Sequence, residues 1–193
     1  MLLALDIGNT NVTTGLFENK ALRATWRFTT DVDRMPDEYG VFLLNVFAHE
    51  GVEPASVDKV VLCSTVPNLT PTFQEVSEKY FGVRALEVTA GAKTGVRILY
   101  ENPKEVGADR IVDAVAAYHL YGGPVIIVDF GTATVFDAVN GAGDYVGGAI
   151  APGIMIAAEA LFARAAKLYK VELAPSKVAI GRNTVTSIQS GLI

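Results

Sequence analysis

The chain has a single cysteine, Cys63, in 193 residues, which excludes an intrachain disulfide and any cysteine-rich zinc site. Its two histidines, His49 and His119, are too few and too scattered to suggest a metal cluster. Basic residues are outnumbered, 16 Lys and Arg against 21 Asp and Glu, for a net charge of −5. That balance argues against nucleic acid or an anionic membrane as the main partner. A small anionic ligand stays open, because backbone amides and a metal can bind one locally. No uncharged run approaches the ~20 residues of a membrane span, and no charged-then-apolar leader opens the chain. A cytoplasmic protein is the expectation. Linker-like and low-complexity stretches are missing too, while half of the residues are hydrophobic. This is a folded chain with material for a substantial core.

What is present is organised around Leu2 to Phe17, LLALDIGNTNVTTGLF. An apolar run ends at Asp6, a small polar turn follows, and a second β-prone run begins at Val12. The pattern predicts strand, tight turn, strand. Gly8 lets an anion approach the backbone, and Thr10 and Asn11 add short donors. Asp6, at the end of a buried strand, is placed to hold a divalent cation through water. Val125 to Asn140, VIIVDFGTATVFDAVN, repeats the layout. A slide that carries Asp6 onto Asp129 also carries Gly8 onto Gly131 and Asn9 onto Thr132. Two such hairpins facing across a cleft could grip a polyphosphate from both sides. The plainer alternative is two Gly-turn hairpins whose aspartates satisfy backbone amides.

Between and beyond the hairpins the pattern alternates. Strands are expected at 21–28, 59–64 and 84–88, and helices at 36–49 and 71–81, ended by Gly51 and Gly82. Asp109 can cap a helix that Gly122 and Gly123 close. A strand at 144–150, a helix from about 154 to 168 and a helix starting at Thr184 complete the list. The expected class is α/β: two similar lobes of mixed sheet with flanking helices, 1–106 and 107–193. A helix start so close to residue 193 predicts a second lobe that is cut short at its C-terminal end.

Two Asp-led phosphate turns resemble the actin–hexokinase–Hsp70 superfamily of ATP-binding folds, which are ribonuclease H-like. DIGNTN (6–11), NPKEVGADR (102–110), DFGTA (129–133), GGAIAPG (147–153) and GRNTVTSIQSG (181–191), in that order, resemble type III pantothenate kinases. The resemblance implies ATP-dependent phosphorylation of pantothenate to 4′-phosphopantothenate, the first step of coenzyme A synthesis. It also implies a cytoplasmic homodimer that uses Mg2+ with ATP and a monovalent cation, K+ or NH4+. Its first phosphate motif falls on Asp6, Ile7, Gly8, Asn9, Thr10, Asn11, Val12 and Thr13. Its second includes Gly131 and Thr132, with Asp129 as the monovalent-cation ligand. The pantothenate pocket would take Tyr100, Gly107, Ala108, Asp109, Arg110 and Thr184, and Asp109 would be the general base.

From local sequence alone Asp109 is better read as an N-cap, Arg110 as a clamp or an ion-pair partner, and Tyr100 as a ligand or a core or rim aromatic. Two other functions stay open at this level. One is a non-catalytic regulatory or accessory protein of the same fold. The other is a kinase for a different small hydroxylated acid.

Overall fold

A computed structural model describes residues 1–193 and contains two sheets. The first is built from β1 (Leu2–Ile7), β2 (Asn11–Glu18), β3 (Ala21–Thr29), β4 (Lys59–Ser64) and β5 (Leu86–Glu87). Its order is β3-β2-β1-β4-β5: β1 to β3 are an antiparallel meander, and β4 joins β1 in parallel. Alternation sends Leu3, Leu5, Ile7, Val12, Leu16, Val60 and Leu62 to one face, where they are buried. Two helices cover that face, α1 (Pro36–His49) and α2 (Thr70–Phe81). Phe47, Phe73, Tyr39 and Leu43 complete an 18-residue core. Pro36 opens α1 at a position that needs no amide, and Gly82, at φ 67°, ends α2 in the left-handed region.

The second sheet is smaller. β6 (Val125–Phe130), β7 (Ala133–Val139) and β8 (Tyr145–Pro152) run antiparallel in that order. The helix before them, α3 (Ala108–Tyr121), contacts β6 and β7 and also β4 of the first sheet, so it joins the two units. The second core is five residues: Val106, Ile111, Ala114, Val139 and Tyr145. Ala90, Val96, Ile98 and Tyr100 pack against it from the segment before α3. Two further helices follow, α4 (Ile154–Arg164) and α5 (Thr184–Leu192).

The expected elements are present, with corrected limits. The helix expected through residue 168 ends at Arg164, where Ala165 turns extended. The short strand shrinks to Leu86–Glu87, and the strand expected from residue 144 begins at Tyr145. Asp109 is not an N-cap: Gly107 occupies that position and Asp109 lies in the first turn.

The repeat is also imperfect by one residue. Asp6 faces Thr13 across its hairpin, seven positions on, whereas Asp129 faces Val135, six positions on. The first turn therefore carries one residue more, and Thr10, not Asn9, meets Thr132.

Candidate active site

Both Asp-Gly turns open into one cleft of about 500 Å³. Its walls are Asp6, Gly8, Asn9, Thr10, Asn11 and Thr13 from the first hairpin, and Asp129 to Ala133 from the second. The first turn is closed by the Gly8 amide donating to the Asn11 carbonyl at 3.0 Å. A Cβ on Gly8 would crowd that same oxygen at 3.1 Å. The second is closed by the Gly131 amide donating to the Ala133 carbonyl at 2.9 Å. The hydroxyls of Thr10 and Thr132 meet across the cleft at 2.8 Å, which ties the two turns together. Ile7 and Val12 carry fully buried side chains, so only their backbone can meet a ligand.

α3 supplies the third wall. Asp109 and, one turn on, Asp113 both line the cleft. The Asp109 carboxylate accepts the Arg110 amide at 2.8 Å, and it folds back over Gly107, where any side chain would collide with it. Its place in the first turn of α3 sets it against the positive end of the helix dipole.

Electrostatically the cleft is strongly acidic. Burial, then the charges of Asp109 and Asp129, raise the pKa of Asp6. Burial, then Asp129, Asp6 and Asp109, push Asp113 up to about 6. Carboxylates that repel one another call for cations, yet no three acidic or histidine side chains are spaced to chelate an ion directly. That donor set fits a hydrated divalent ion held by one or two carboxylates together with substrate phosphates. Cys63, beside Asp6 on the neighbouring strand, is inert: burial and those acids push its thiol up to about 12.

Arg110 does not face this cleft. It is buried, its Nε and Nη2 donate to Asp137 at 3.0 and 2.6 Å, and its guanidinium lies 5.7 Å from the Tyr145 ring. The Tyr145 hydroxyl donates to the same Asp137 oxygen at 2.7 Å. Tyr100 stands next to Tyr145, ring centres 6.3 Å apart. Tyr100 and Arg110 thus belong to one cluster at the far end of β7 and β8. Thr184 opens α5 and lines a separate depression with Leu161, Ser187 and Ile188.

Some residues of the site, and the role of Gly153 within it, were not foreseen. Thr65 lines the cleft after β4 and donates its amide to the Ile7 carbonyl at 2.9 Å. Gly153 packs so closely on the backbone of Gly131 and Thr132 that no side chain fits, and its amide donates to the Thr132 carbonyl at 3.1 Å. It buttresses the second turn from behind. Asp113 was legible as the helical neighbour of Asp109, four residues on. Asp137 and Tyr145 carry no local signal.

The profile of the type III pantothenate kinase family matches residues 2–193. A type III pantothenate kinase from Myxococcus xanthus is 52% identical over 193 residues, covering 100% of this chain and 75% of its own. Another from Moorella thermoacetica is 51% identical over 193 residues, covering 100% and 76%. Among solved structures, a Campylobacter jejuni protein named for the Baf family of transcriptional activators aligns at a TM-score of 0.59 and 17% identity. The alignment covers 98% of this chain and 73% of that one, and it establishes a shared fold.

Proposed function

This chain belongs to the type III pantothenate kinase family, which phosphorylates pantothenate with ATP in the first step of coenzyme A synthesis, and we propose that the cleft between its hairpins is where that transfer occurs. The observation that carries the assignment is convergence. Two Asp-Gly turns far apart in sequence, joined through Thr10 and Thr132, meet the Asp109 carboxylate in one cavity. Phosphoryl transfer asks a protein mainly for positioning and charge neutralisation.

The backbone amides of the first turn, Asp6 to Thr13, and of Gly131 and Thr132 bind the polyphosphate from opposite sides. The threonine hydroxyls that now bond each other turn to phosphate oxygens when ATP enters. Asp109 takes the proton of the pantothenate hydroxyl as its oxygen attacks the γ-phosphorus and the bond to ADP breaks. Gly107 and Ala108, flanking Asp109 at the start of α3, shape the acceptor's side of the cleft, whereas Tyr100 and Arg110 stand apart with Asp137 and Tyr145, and Thr184 lies in its own depression. Asp6 would hold a divalent ion, Mg2+, through water, and that ion would offset phosphate charge. Asp129 would hold a monovalent ion, K+ or NH4+, which would add to that neutralisation.

We further read the enzyme as cytoplasmic and homodimeric, with α4 in the interface, because its Met155 and Ile156 are 63% and 44% exposed. An ADP-release assay with pantothenate, with and without potassium, tests the assignment. ADP release that depends on pantothenate and rises with potassium is the expected result. Release indifferent to pantothenate would overturn it.

A further inference from the structure

The transfer so far described leaves a charged side chain of the cleft without a role. Arg27, on β3, is the sole cationic side chain lining a cavity that also holds Asp6, Asp109, Asp113 and Asp129. It is exposed and makes no ion pair or side-chain hydrogen bond, although other arginines of the chain pair with acids. An exposed arginine on a sheet is ordinarily just solvated. This one forms part of the wall of a site that must receive a polyphosphate.

Its position follows from register. Asp6 of β1 faces Thr13 of β2, and Thr13 faces Arg27 of β3, so the three form a lateral row on one face. With adjacent strands about 4.8 Å apart, Arg27 stands about 10 Å across the sheet from Asp6. On the other side of Asp6 come β4 and then α3, which carries Asp109. The row therefore runs from the base, past Asp6 and the first phosphate turn, to the guanidinium. A β-bulge between Leu16 and Phe17 makes this possible. Without it Trp26 would face Thr13, and Arg27 would point into the core.

We propose that Arg27 is a catalytic residue that contacts the β-phosphate and the bridging oxygen of ATP and neutralises the charge gathering on departing ADP. The inference rests on the assignment of the cleft above. In-line transfer places the acceptor oxygen and the leaving oxygen on opposite sides of the phosphorus. With the base at one end of the row, the leaving group lies toward the other, where Arg27 is. As the new O–P bond forms and the P–O bond to ADP breaks, the acceptor proton passes to Asp109 and the electron pair of the broken bond stays on ADP. A planar, permanently charged fork suits that oxygen pair better than a lysine would.

The test compares wild type with Arg27→Gln, Arg27→Lys and Arg27→Ala in steady-state kinetics and in titrations of Mg-ADP and pantothenate. Gln is expected to lower kcat about 10²-fold or more and weaken Mg-ADP, with pantothenate affinity unchanged. Lys should fall in between, since it keeps a point charge but not the fork. Millimolar guanidinium should restore part of the turnover of Arg27→Ala, which a residue of merely structural importance would not allow. A kcat for Gln within threefold of wild type, a loss confined to pantothenate affinity, or no guanidinium rescue would each overturn the proposal. Failure of the cleft assignment looks different: wild type itself would release no pantothenate-dependent ADP. Arg27→Lys keeps the test decisive if the smaller variants fold poorly.

Discussion

The two hairpins carry nearly the same turn on unequal foundations. The first stands in a five-stranded sheet whose core face is sealed by two helices, over an 18-residue cluster. The second stands on three strands over a five-residue cluster. On β6, Ile126 and Phe130 are 65% and 71% exposed, whereas Leu3, Ile7 and Leu62 of the first sheet are fully buried. A residue's contribution to stability scales with the apolar surface it removes from water. One cleft is thus assembled from a wall fixed by deep packing and a wall fixed mainly by backbone ladders, Gly153 and the Thr10–Thr132 contact.

The largest expected effect would sharpen this contrast directly. Phe73 is fully buried against Tyr39 and Phe28, so Phe73→Ala should cost about 3–5 kcal/mol of unfolding free energy. Ile126→Ala should change stability by less than about 1 kcal/mol. Urea melts of both variants measure this, and equal losses would show that the second sheet is as firmly packed as the first.

Next in size is Asp109→Asn. Asp109 sits on the helix that contacts both sheets, so its loss should leave folding and nucleotide affinity intact while lowering turnover by ~10²-fold or more. Turnover near wild type would remove the base from α3 and with it the helix's place in the chemistry.

A smaller effect asks whether the two turns act on one ligand despite their different supports. Asp6→Asn and Asp129→Asn should each impair Mg-nucleotide use, and the double variant should lose less than the two losses combined. The coupling should be on the order of 1 kcal/mol, read from kcat/KM in a double-mutant cycle. Strict additivity would mean that the hairpins serve separate ligands.

Much of this architecture was legible in the residues. Short apolar or β-prone runs closed by turn residues placed β1, β2 and β4, and the repeated Asp-x-Gly sequence identified both turns. What stayed hidden depends on contacts between distant segments. The bulge that turns Arg27 toward the cleft leaves no composition signature, because Trp26 and Arg27 both suit a strand. The extra residue in the first turn makes Thr10 the partner of Thr132, where alignment of the repeats gave Asn9. Arg110 could be a clamp or an ion-pair partner in sequence, and only β7 and β8 bring Asp137 and Tyr145 to it. The helix expected to reach residue 168 stops at Arg164, although Ala165, Ala166 and Lys167 are good helix formers. Tertiary context overrides so weak a preference.

The smallest expected effect concerns the charge that the second hairpin projects onto α3. Asp113 is raised to about 6 by burial first, then by Asp129, Asp6, Asp109 and Asp137 in decreasing order. Below its ordinary 3.8 the group is protonated in both folded and unfolded chains and costs nothing. As pH rises from there to about 6, the unfolded chain releases its proton while the folded one retains it, so stability falls across that window. Asp113→Asn removes the group that pays this penalty. In metal-free, nucleotide-free protein the variant should match wild type near pH 4 and exceed it near pH 7. Asp113 is partly open to solvent, so the gain should be no more than about 1 kcal/mol. Asp129→Asn should relieve more of the penalty than Asp6→Asn, because Asp129 is the largest of the charge contributions. Urea melts at a series of pH values measure both differences. A variant whose advantage is flat from pH 4 to 7 would show that Asp113 titrates as an ordinary carboxylate. If Asp6→Asn relieves more than Asp129→Asn, the rigid first hairpin, not the thinly supported second, sets the field at α3.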